Sequence, residues 1–271
     1  MKRILFIILV CASFVLNGQN TDGGMSDTGN YVSEEAPISA PFFSLAAGET
    51  LPLGDMRDLY KPFFNINGML GWKTSENWVV VLDFCFQFGS NNIRNIDDIL
   101  AGLMTADKNP FIVGADGTDA GVVGYNRNLS LSFGIGKVIP VSMSRKNSGI
   151  LLTLNAGYLQ HQIIYEATQS RVFQLEDDYK YGYDRQRRGY LFSMFAGYMH
   201  LSKKAYANWS AGTQIYYART KMTREYQFDM YDANTGASFT GKDKYNDCMI
   251  TFKVGWIIPF LGRSSNKIYY F

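Results

Sequence analysis

Residues 78–88 read WVVVLDFCFQF, and a large apolar side chain occupies every second position of this segment. The apolar positions are Trp78, Val80, Leu82, Phe84, Phe86 and Phe88. Between them stand other side chains that include Asp83, Cys85 and Gln87. Because successive side chains of a β-strand point to opposite faces of its sheet, the segment predicts a strand with one strongly apolar face.

The same alternation recurs along the chain. It is regular in three further segments, residues 128–136, 150–158 and 248–258. It is less regular in four others, residues 42–48, 64–72, 190–198 and 209–217. A slip of one residue would exchange the two faces of a strand, so repeated alternation specifies the register. The sequence therefore predicts eight strands.

The composition of the less apolar face of these strands distinguishes a membrane barrel from a water-soluble β-sandwich. In a soluble β-protein that face meets water and carries many charges. Here it holds mostly Asn, Ser, Thr, Gly and Gln, which suit a narrow, hydrogen-bonded interior. The residues predicted to point inward are Asn65, Asn67, Asp83, Gln87, Asn155, Gln214 and Lys253. We therefore expect an all-β fold, a transmembrane eight-stranded antiparallel up-and-down β-barrel. One arrangement that such an interior allows is an ion pair between Asp83 and Lys253.

Connector lengths alternate between short and long, as in barrels that have short periplasmic turns and long outer loops. The short connectors are residues 73–77, 140–149 and 201–208, and the long ones are residues 49–62, 90–121, 166–188 and 220–247. All four tryptophans, Trp72, Trp78, Trp209 and Trp256, lie on the predicted lipid-facing side near the short connectors. Such a row is typical of an aromatic girdle, here the periplasmic one.

The N-terminus has the pattern of a secretory signal peptide. Lys2 and Arg3 precede an apolar run over residues 4–16, which rises only about 20 Å as a helix. We expect residues 1–18 to be removed and residues 19–40 to form a flexible, acidic periplasmic segment. Without Lys2 and Arg3 the basic residues equal the 24 acidic ones, so no nucleic-acid partner is expected. No later stretch is long and apolar enough for a transmembrane helix.

The last predicted strand ends with KVGWIIPF, residues 253–260. This octet resembles the assembly signal of outer-membrane barrels, with Lys253, Gly255, Ile258 and Phe260 at the characteristic spacing. It departs from the usual form because a tail, residues 261–271, follows it and would lie in the periplasm. Across residues 41–260, and in its signal peptide and tail, the chain is similar to small outer-membrane barrels of the Bacteroidota type. The resemblance implies a location in the cell outer membrane and a role within a larger protein complex of the cell envelope.

Catalysis has little support in the sequence. An eight-stranded barrel holds its own side chains or one small ligand, so a diffusion channel is not expected. The two histidines, His161 and His200, fall near opposite ends of the barrel. His161 has Glu166 and several hydroxyls within reach, which leaves a Ser–His–acid arrangement open. We predict no enzymatic activity, no catalytic residue, no metal site and no cofactor.

The second long connector carries apolar residues at helical spacing. They are Ile96, Ile99, Leu100, Leu103 and Met104, preceded by Asn95 as an N-cap. This stripe predicts a short amphipathic helix outside the membrane. Such a stripe must be buried, either as a lid packed over the barrel mouth or as a docking surface for another protein.

The third and fourth long connectors carry further aromatic residues. Tyr226, Phe228 and Met230 continue the alternation toward a turn at residues 234–236, which predicts a projecting hairpin. Four tyrosines, Tyr179, Tyr181, Tyr183 and Tyr231, suit a binding surface.

Three functions follow from these features. The first is an accessory or scaffold subunit of a multiprotein outer-membrane assembly, for protein secretion or barrel insertion, with the lipid bilayer and other outer-membrane or periplasmic proteins as partners. The second is a surface ligand-binding or adhesion barrel that acts through its outer loops. The third is a lipid-modifying outer-membrane enzyme that depends on His161.

Overall fold

The structure is a computed structural model that describes residues 38–142, 145–202, 208–224, 231–232, 237–238 and 244–260. The eight barrel strands are β1 (Ala40–Gly54), β2 (Phe63–Lys73), β3 (Trp78–Ser90), β4 (Val122–Pro140), β5 (Gly149–Ala167), β6 (Arg187–His200), β7 (Trp209–Met222) and β10 (Tyr245–Pro259). The predicted signal peptide, nearly all of the predicted N-terminal segment and the predicted C-terminal tail lie outside the described residues.

These strands close into one antiparallel barrel. Each pairs with its neighbours in sequence, and β1 closes the ring against β10 from Phe42 opposite Pro259 to Gly54 opposite Asp247. Two short strands, β8 (Tyr231–Asp232) and β9 (Ala237–Ser238), pair only with each other. They form the part of the predicted hairpin that the structure describes, whereas Tyr226, Phe228 and Met230 lie outside the described residues.

The two faces of the wall are as the alternation predicts. Phe84, Leu131 and Phe252 are 45%, 51% and 52% exposed on the outside. Every residue predicted to point inward is buried: Asn65, Asn67, Asp83, Gln87, Asn155, Gln214 and Lys253. A closed barrel with an apolar outside and polar side chains buried inside is the architecture of a transmembrane β-barrel, because lipid rather than water suits such an exterior.

Strand β6 shows why the alternation is irregular there. Phe195 points into the lumen and is buried, although it is a large apolar side chain. The space for its ring comes from two paired glycines, Gly197 on β6 and Gly212 on β7. A Cβ at either glycine would lie 2.6–2.7 Å from Cζ of Phe195, so a larger residue there would displace the ring.

The connectors have nearly the predicted bounds. Residues 74–77, 141–148 and 201–208 form the short connectors, and residues 91–121, 168–186 and 223–244 form three of the long ones. The first long connector is shorter than predicted, residues 55–62, because β1 keeps its pairing with β10 as far as Gly54. Among the residues that the structure describes, no helix is long and apolar enough to cross a membrane.

Candidate functional site

The long connectors at one end of the barrel build a cap, which consists of residues 55–62, 91–121 and 168–186. Backbone hydrogen bonds join these loops to one another: the amide of Lys61 donates to the carbonyl of Asn92 over 2.7 Å. The amide of Ala115 donates to the carbonyl of Arg171 over 2.8 Å, and the amide of Gln169 donates to the carbonyl of Ala120 over 3.0 Å. The cap is therefore one connected structure rather than three separate loops.

Apolar side chains fasten the cap to the barrel wall, and we name them the cap cluster. Its members from the loops are Met56, Leu59, Tyr60, Ile93, Ile99, Leu100, Ile112, Ala120, Val172, Leu175 and Tyr183. Its members from the wall are Phe63, Leu159, Ile163, Leu191, Tyr216, Ala218 and Met249. Burial of this many apolar groups is the main force that holds the cap in place.

The predicted amphipathic stripe belongs to this cluster. Helix α1 (Ile96–Ile99) and the 3-10 turn after it (Ala101–Leu103) place Ile99 and Leu100 among its buried residues. The other stripe residues, Ile96, Leu103 and Met104, are partly buried against the cluster. The stripe thus packs as a lid over the mouth, and docking of another protein on it stays a prediction.

The predicted N-cap of this helix is wrong. Asn95 has a left-handed backbone, with φ of 50° and ψ of 42°, and its side chain makes no capping hydrogen bond. A side-chain N-cap needs an extended backbone at that residue, so that the side-chain oxygen reaches the amides of the first turn.

A buried polar network lies beneath the cap, and it brings five elements together. Nε2 of His161 on β5 lies 3.0 Å from Oδ2 of Asp247 on β10. Nδ1 of the same ring lies 3.0 Å from the hydroxyl oxygen of Tyr60 in the cap. Arg187 donates from Nη1 to Oδ1 of Asp247 over 3.4 Å, and the hydroxyl of Thr220 donates to Oδ2. An ionised Asp247 can only accept hydrogen bonds, so Nε2 of His161 carries a proton.

This constellation has the residue types of a catalytic relay but not the access. Tyr60, His161 and Asp247 are all 0% exposed. Because a nucleophile and its base must meet substrate, the geometry favours a structural role that ties the cap to the wall. The predicted partner Glu166 is wrong, since it is exposed on the outer face of β5.

The second histidine and the other possible metal ligands do not complete a catalytic or metal site beneath the cap. His200 lies 13 residues along β6 from Arg187, which is the register partner of His161. At about 3.3 Å per residue this separates the two histidines by about 40 Å. Among the described residues no group of three His, Cys, Asp or Glu side chains is placed to hold a metal ion.

The middle of the lumen holds an Asp83–Lys253 ion pair, the arrangement that the sequence left open, within a polar layer. Nζ of Lys253 lies 3.4 Å from Oδ2 of Asp83 and donates to Oδ1 of Asn67 over 3.1 Å. Asn67 in turn donates from Nδ2 to Oδ1 of Asp83 over 2.8 Å. The cavity beside these groups has a volume of about 10 Å³, enough for about one water molecule.

A second apolar cluster fills the lumen at the short-connector end. Its residues are Ile38, Ala40, Phe42, Val79, Val81, Val138, Leu151, Phe195, Met199, Leu201 and Ile257. Polar contacts hold the chain there, because Nζ of Lys73 donates to the carbonyl of Ile38 over 3.1 Å. The amide of Ile38 donates to Oδ1 of Asn147 over 2.8 Å. Residues 38–40, predicted to belong to the flexible segment, are therefore part of the barrel.

The sequence-predicted features of the exterior lie where the alternation puts them. Trp72, Trp78 and Trp256 are half-exposed on the outside, and Trp209 is partly exposed opposite Trp256. Trp72, Trp78 and Trp209 lie beside the short connectors, and Trp256 lies at the same end of the barrel as the register partner of Trp209. In the octet, Lys253 and Gly255 face inward, Ile258 is partly exposed and Phe260 is exposed. Their roles in a periplasmic girdle and in assembly stay predictions.

Two aromatic side chains stand out from the cap. Phe173 and Tyr179 are 59% and 64% exposed. Tyr181 lies beneath the guanidinium of Arg224, 4.1 Å from the ring centroid. By contrast Tyr183 is buried in the cap cluster, so it does not belong to a binding surface. Its burial raises the pKa of its hydroxyl. The side chain of Tyr231 lies outside the described residues.

Two ion pairs brace this part of the cap. Arg171 makes a bidentate pair with Glu176, with contacts of 2.9 Å and 2.5 Å, and these hydrogen bonds lower the pKa of the Glu176 carboxyl. Arg224, which follows β7, pairs with Asp184 over 2.5 Å. The exposed aromatic residues are therefore presented on a braced surface.

Comparisons with known proteins find similarity at the level of solved structures. No family model matches the chain, and no curated protein matches it. Among solved structures, Neisserial surface protein A has 10% identity and a TM-score of 0.38, over 81% of this chain and 97% of that one. The N-terminal β-barrel domain of Pseudomonas aeruginosa OprF has 9% identity and a TM-score of 0.34, over 82% of this chain and 100% of that one.

A major outer membrane protein from Thermus thermophilus has 8% identity and a TM-score of 0.39, over 81% of this chain and 100% of that one. All these TM-scores are low, so the fold is assigned from the chain itself. Its closed strand pairing, its apolar exterior and the polar layer in its lumen identify it as an eight-stranded outer-membrane β-barrel.

Proposed function

We propose that the protein is a non-enzymatic barrel of the cell outer membrane that acts as an accessory or scaffold subunit of a multiprotein assembly. The observation that supports this proposal best is the packed lumen. The cap cluster fills one end, a second apolar cluster fills the other, and a cavity in the polar layer between them has a volume of about 10 Å³. A barrel without room for transport works through its surfaces.

Catalysis and lipid modification are not favoured by the same geometry. The lipid-modification hypothesis requires His161 to reach a substrate, yet its ring is buried between Tyr60 and Asp247. We therefore propose that the protein binds rather than transforms its partners. Protein secretion and barrel insertion are the processes in which we expect such a subunit.

A tagged purification tests the scaffold proposal. An epitope inserted between Asp107 and Lys108 sits on an exposed part of the cap and leaves both chain ends intact. Membranes are solubilised in a mild detergent, the tagged protein is purified through the epitope, and the mass of the purified complex is measured by native mass spectrometry. We expect a discrete complex with other envelope proteins at fixed stoichiometry. An unrelated eight-stranded barrel with the same epitope is the control, and recovery of a lone monomer would contradict the proposal.

The second candidate, a surface ligand-binding or adhesion barrel, is supported by the braced aromatic pair on the cap. Phe173 and Tyr179 expose large rings on 3-10 turns, and aromatic side chains of this kind carry much of the energy at protein interfaces. In this case a Phe173→Ala/Tyr179→Ala double variant loses ligand binding while it still folds. A Val113→Ala variant, changed at another exposed apolar residue of the cap, is the control.

A further inference from the structure

Three cations stand together on the outer surface of β6 and β7, near the cap. Arg188 is the direct register partner of Lys221, and both side chains are exposed. Arg219 lies two residues before Lys221 on the same face and is also exposed. We name Arg188, Arg219 and Lys221 the basic cluster.

The basic cluster is electrostatically unfavourable by itself. The Cβ atoms of directly opposed residues lie about 4.5–5.5 Å apart, and like charges in such a pair destabilise the sheet. Within the part of the chain that the structure describes, no carboxylate lies within ion-pair distance of any of the three. Asp247 on β10 is the register partner of Ala218 but faces inward, and Oδ2 of Asp55 accepts the amide of Asn246 over 2.7 Å. An anion from outside the chain would relieve this repulsion.

The position of the basic cluster along the barrel axis indicates which class of anion would bind to it. Just below it the outward positions are aromatic: Tyr190, the register partner of Arg219, is 75% exposed, and Tyr217 is 43% exposed. Below these the exterior is apolar, with Phe192 and Ile215 both exposed. Tyrosines mark the boundary between hydrocarbon and headgroups, so the cluster lies at headgroup level on the long-loop side.

The outward-facing lysines and arginines at the long-connector end are unevenly distributed among the strands. A fourth exposed cation, Arg127 on β4, lines a groove of about 420 Å³ together with Phe86, Phe88, Ile164 and the acidic Glu166. At the same end, the outward positions of β1, β2, β3 and β10 within the described strands carry no lysine or arginine. Among the described strands, the outward-facing cations at this end therefore lie on β4, β6 and β7, whereas Arg57 and Lys61 are exposed in the first long connector.

We propose that the basic cluster binds the phosphate groups of a phosphorylated lipid in the leaflet on the long-loop side. Arginine donates two parallel hydrogen bonds to phosphate oxygens, and lysine supplies a point charge beside them. The lipid's acyl chains lie along the apolar wall below, and the groove beside Arg127 offers room for one of them. Such a lipid neutralises three like charges and extends the hydrophobic contact at once.

Native mass spectrometry of the full chain in a neutral detergent tests the proposal. The probe is a bis-phosphorylated lipid A, compared with the same lipid after enzymatic dephosphorylation and with inorganic phosphate. We expect the wild-type protein to retain the phosphorylated lipid and to retain neither of the other two. In an Arg188→Gln/Lys221→Gln variant the bound fraction falls about tenfold or more, the factor expected for two cations near an anionic headgroup.

Two controls make the result decisive. Lys137→Gln removes an outward-facing cation at the other end of β4, and it leaves lipid retention at the wild-type level. Arg188→Lys/Lys221→Arg keeps the charges and keeps most of the binding. Heat-modifiable migration on gels confirms that each variant folds, and Arg219→Gln replaces the double variant if that one does not. Equal retention by the double variant, equal retention of the dephosphorylated lipid, or binding of inorganic phosphate alone would overturn the proposal.

Discussion

Asp83 on β3 and Lys253 on β10 form an ion pair across the lumen, with Oδ2 and Nζ 3.4 Å apart. Two strands, β1 and β2, separate β3 from β10 in the barrel wall. The pair therefore connects parts of the wall that share no backbone hydrogen bonds. Asn67 on β2 bonds to both charged groups, so three strands meet in one polar layer.

The first prediction concerns this pair. Asp83→Ala leaves the ammonium of Lys253 buried without its counter-ion, which costs about 3–5 kcal/mol of unfolding free energy. The double variant Asp83→Leu/Lys253→Met costs less than the single variant, because neither charge remains in the lumen. Urea unfolding in lipid vesicles measures both values.

Asp98→Ala is the control for this series. Asp98 is exposed in α1, so its removal changes stability by no more than about 0.5 kcal/mol. A cost for Asp83→Ala as small as that of the control would contradict a stabilising ion pair.

The second prediction concerns the network beneath the cap. His161→Ala removes the ring that bonds to the Tyr60 hydroxyl and one of the three partners of the Asp247 carboxylate, and a lost partner of a buried polar group costs about 1–3 kcal/mol. Tyr60→Phe removes only one hydroxyl and costs about 1 kcal/mol. Because Tyr60 is the cap's contribution to this network, we expect faster hydrogen exchange in residues 55–62 in both variants.

His200→Ala tests whether the effect is specific. His200 ends β6 at the short-connector side, about 40 Å from His161, and its replacement should leave exchange in the cap unchanged. Equal acceleration in the His161 and His200 variants would show that the network does not hold the cap.

Sequence reasoning predicted the wall of this barrel better than its contents. Alternation is a local property of each strand, and it identified the inward side chains of Asn67, Asp83 and Lys253 before any register was known. Which inward residues meet depends on the stagger between strands and on ring closure. The alternation places Asp247 on the inward face, but its contact with His161 depends on how β5 and β10 face each other across the lumen.

The cap shows a second limit of sequence patterns. The stripe at Ile99 and Leu100 indicated correctly that an apolar face must be buried, but nothing in its spacing distinguishes the same chain from a partner. Tyr183 was grouped with exposed tyrosines because residue type alone does not report burial. Asn95 has a residue type that suits an N-cap, yet its left-handed backbone excludes that role.

The third prediction concerns the lid. Leu100→Ala removes a buried side chain from the cap cluster and costs about 2–5 kcal/mol of cap stability, because the cavity it leaves is only partly refilled. We expect proteases to cut residues 91–121 faster in this variant, while the barrel wall stays resistant. Val113→Ala, at an exposed position of the same connector, should leave the cutting rate unchanged.

A photo-cross-linker at Leu103 distinguishes the lid from a docking surface in the intact membrane. If the stripe stays packed on the cap cluster, only peptides of the same chain are captured. Capture of a second protein at this position would show that the stripe leaves the barrel mouth and docks.

The last prediction concerns the tryptophans and needs no substitution. The chain contains four tryptophans, and Trp72, Trp78, Trp209 and Trp256 all lie at the short-connector end of the barrel. All of the tryptophan fluorescence therefore comes from one membrane interface if these residues form a girdle. In vesicles with uniform protein orientation, a headgroup-level quencher in the leaflet of the short connectors should remove most of the emission. The same quencher in the opposite leaflet should remove little, and similar quenching from both sides would contradict a girdle at one interface.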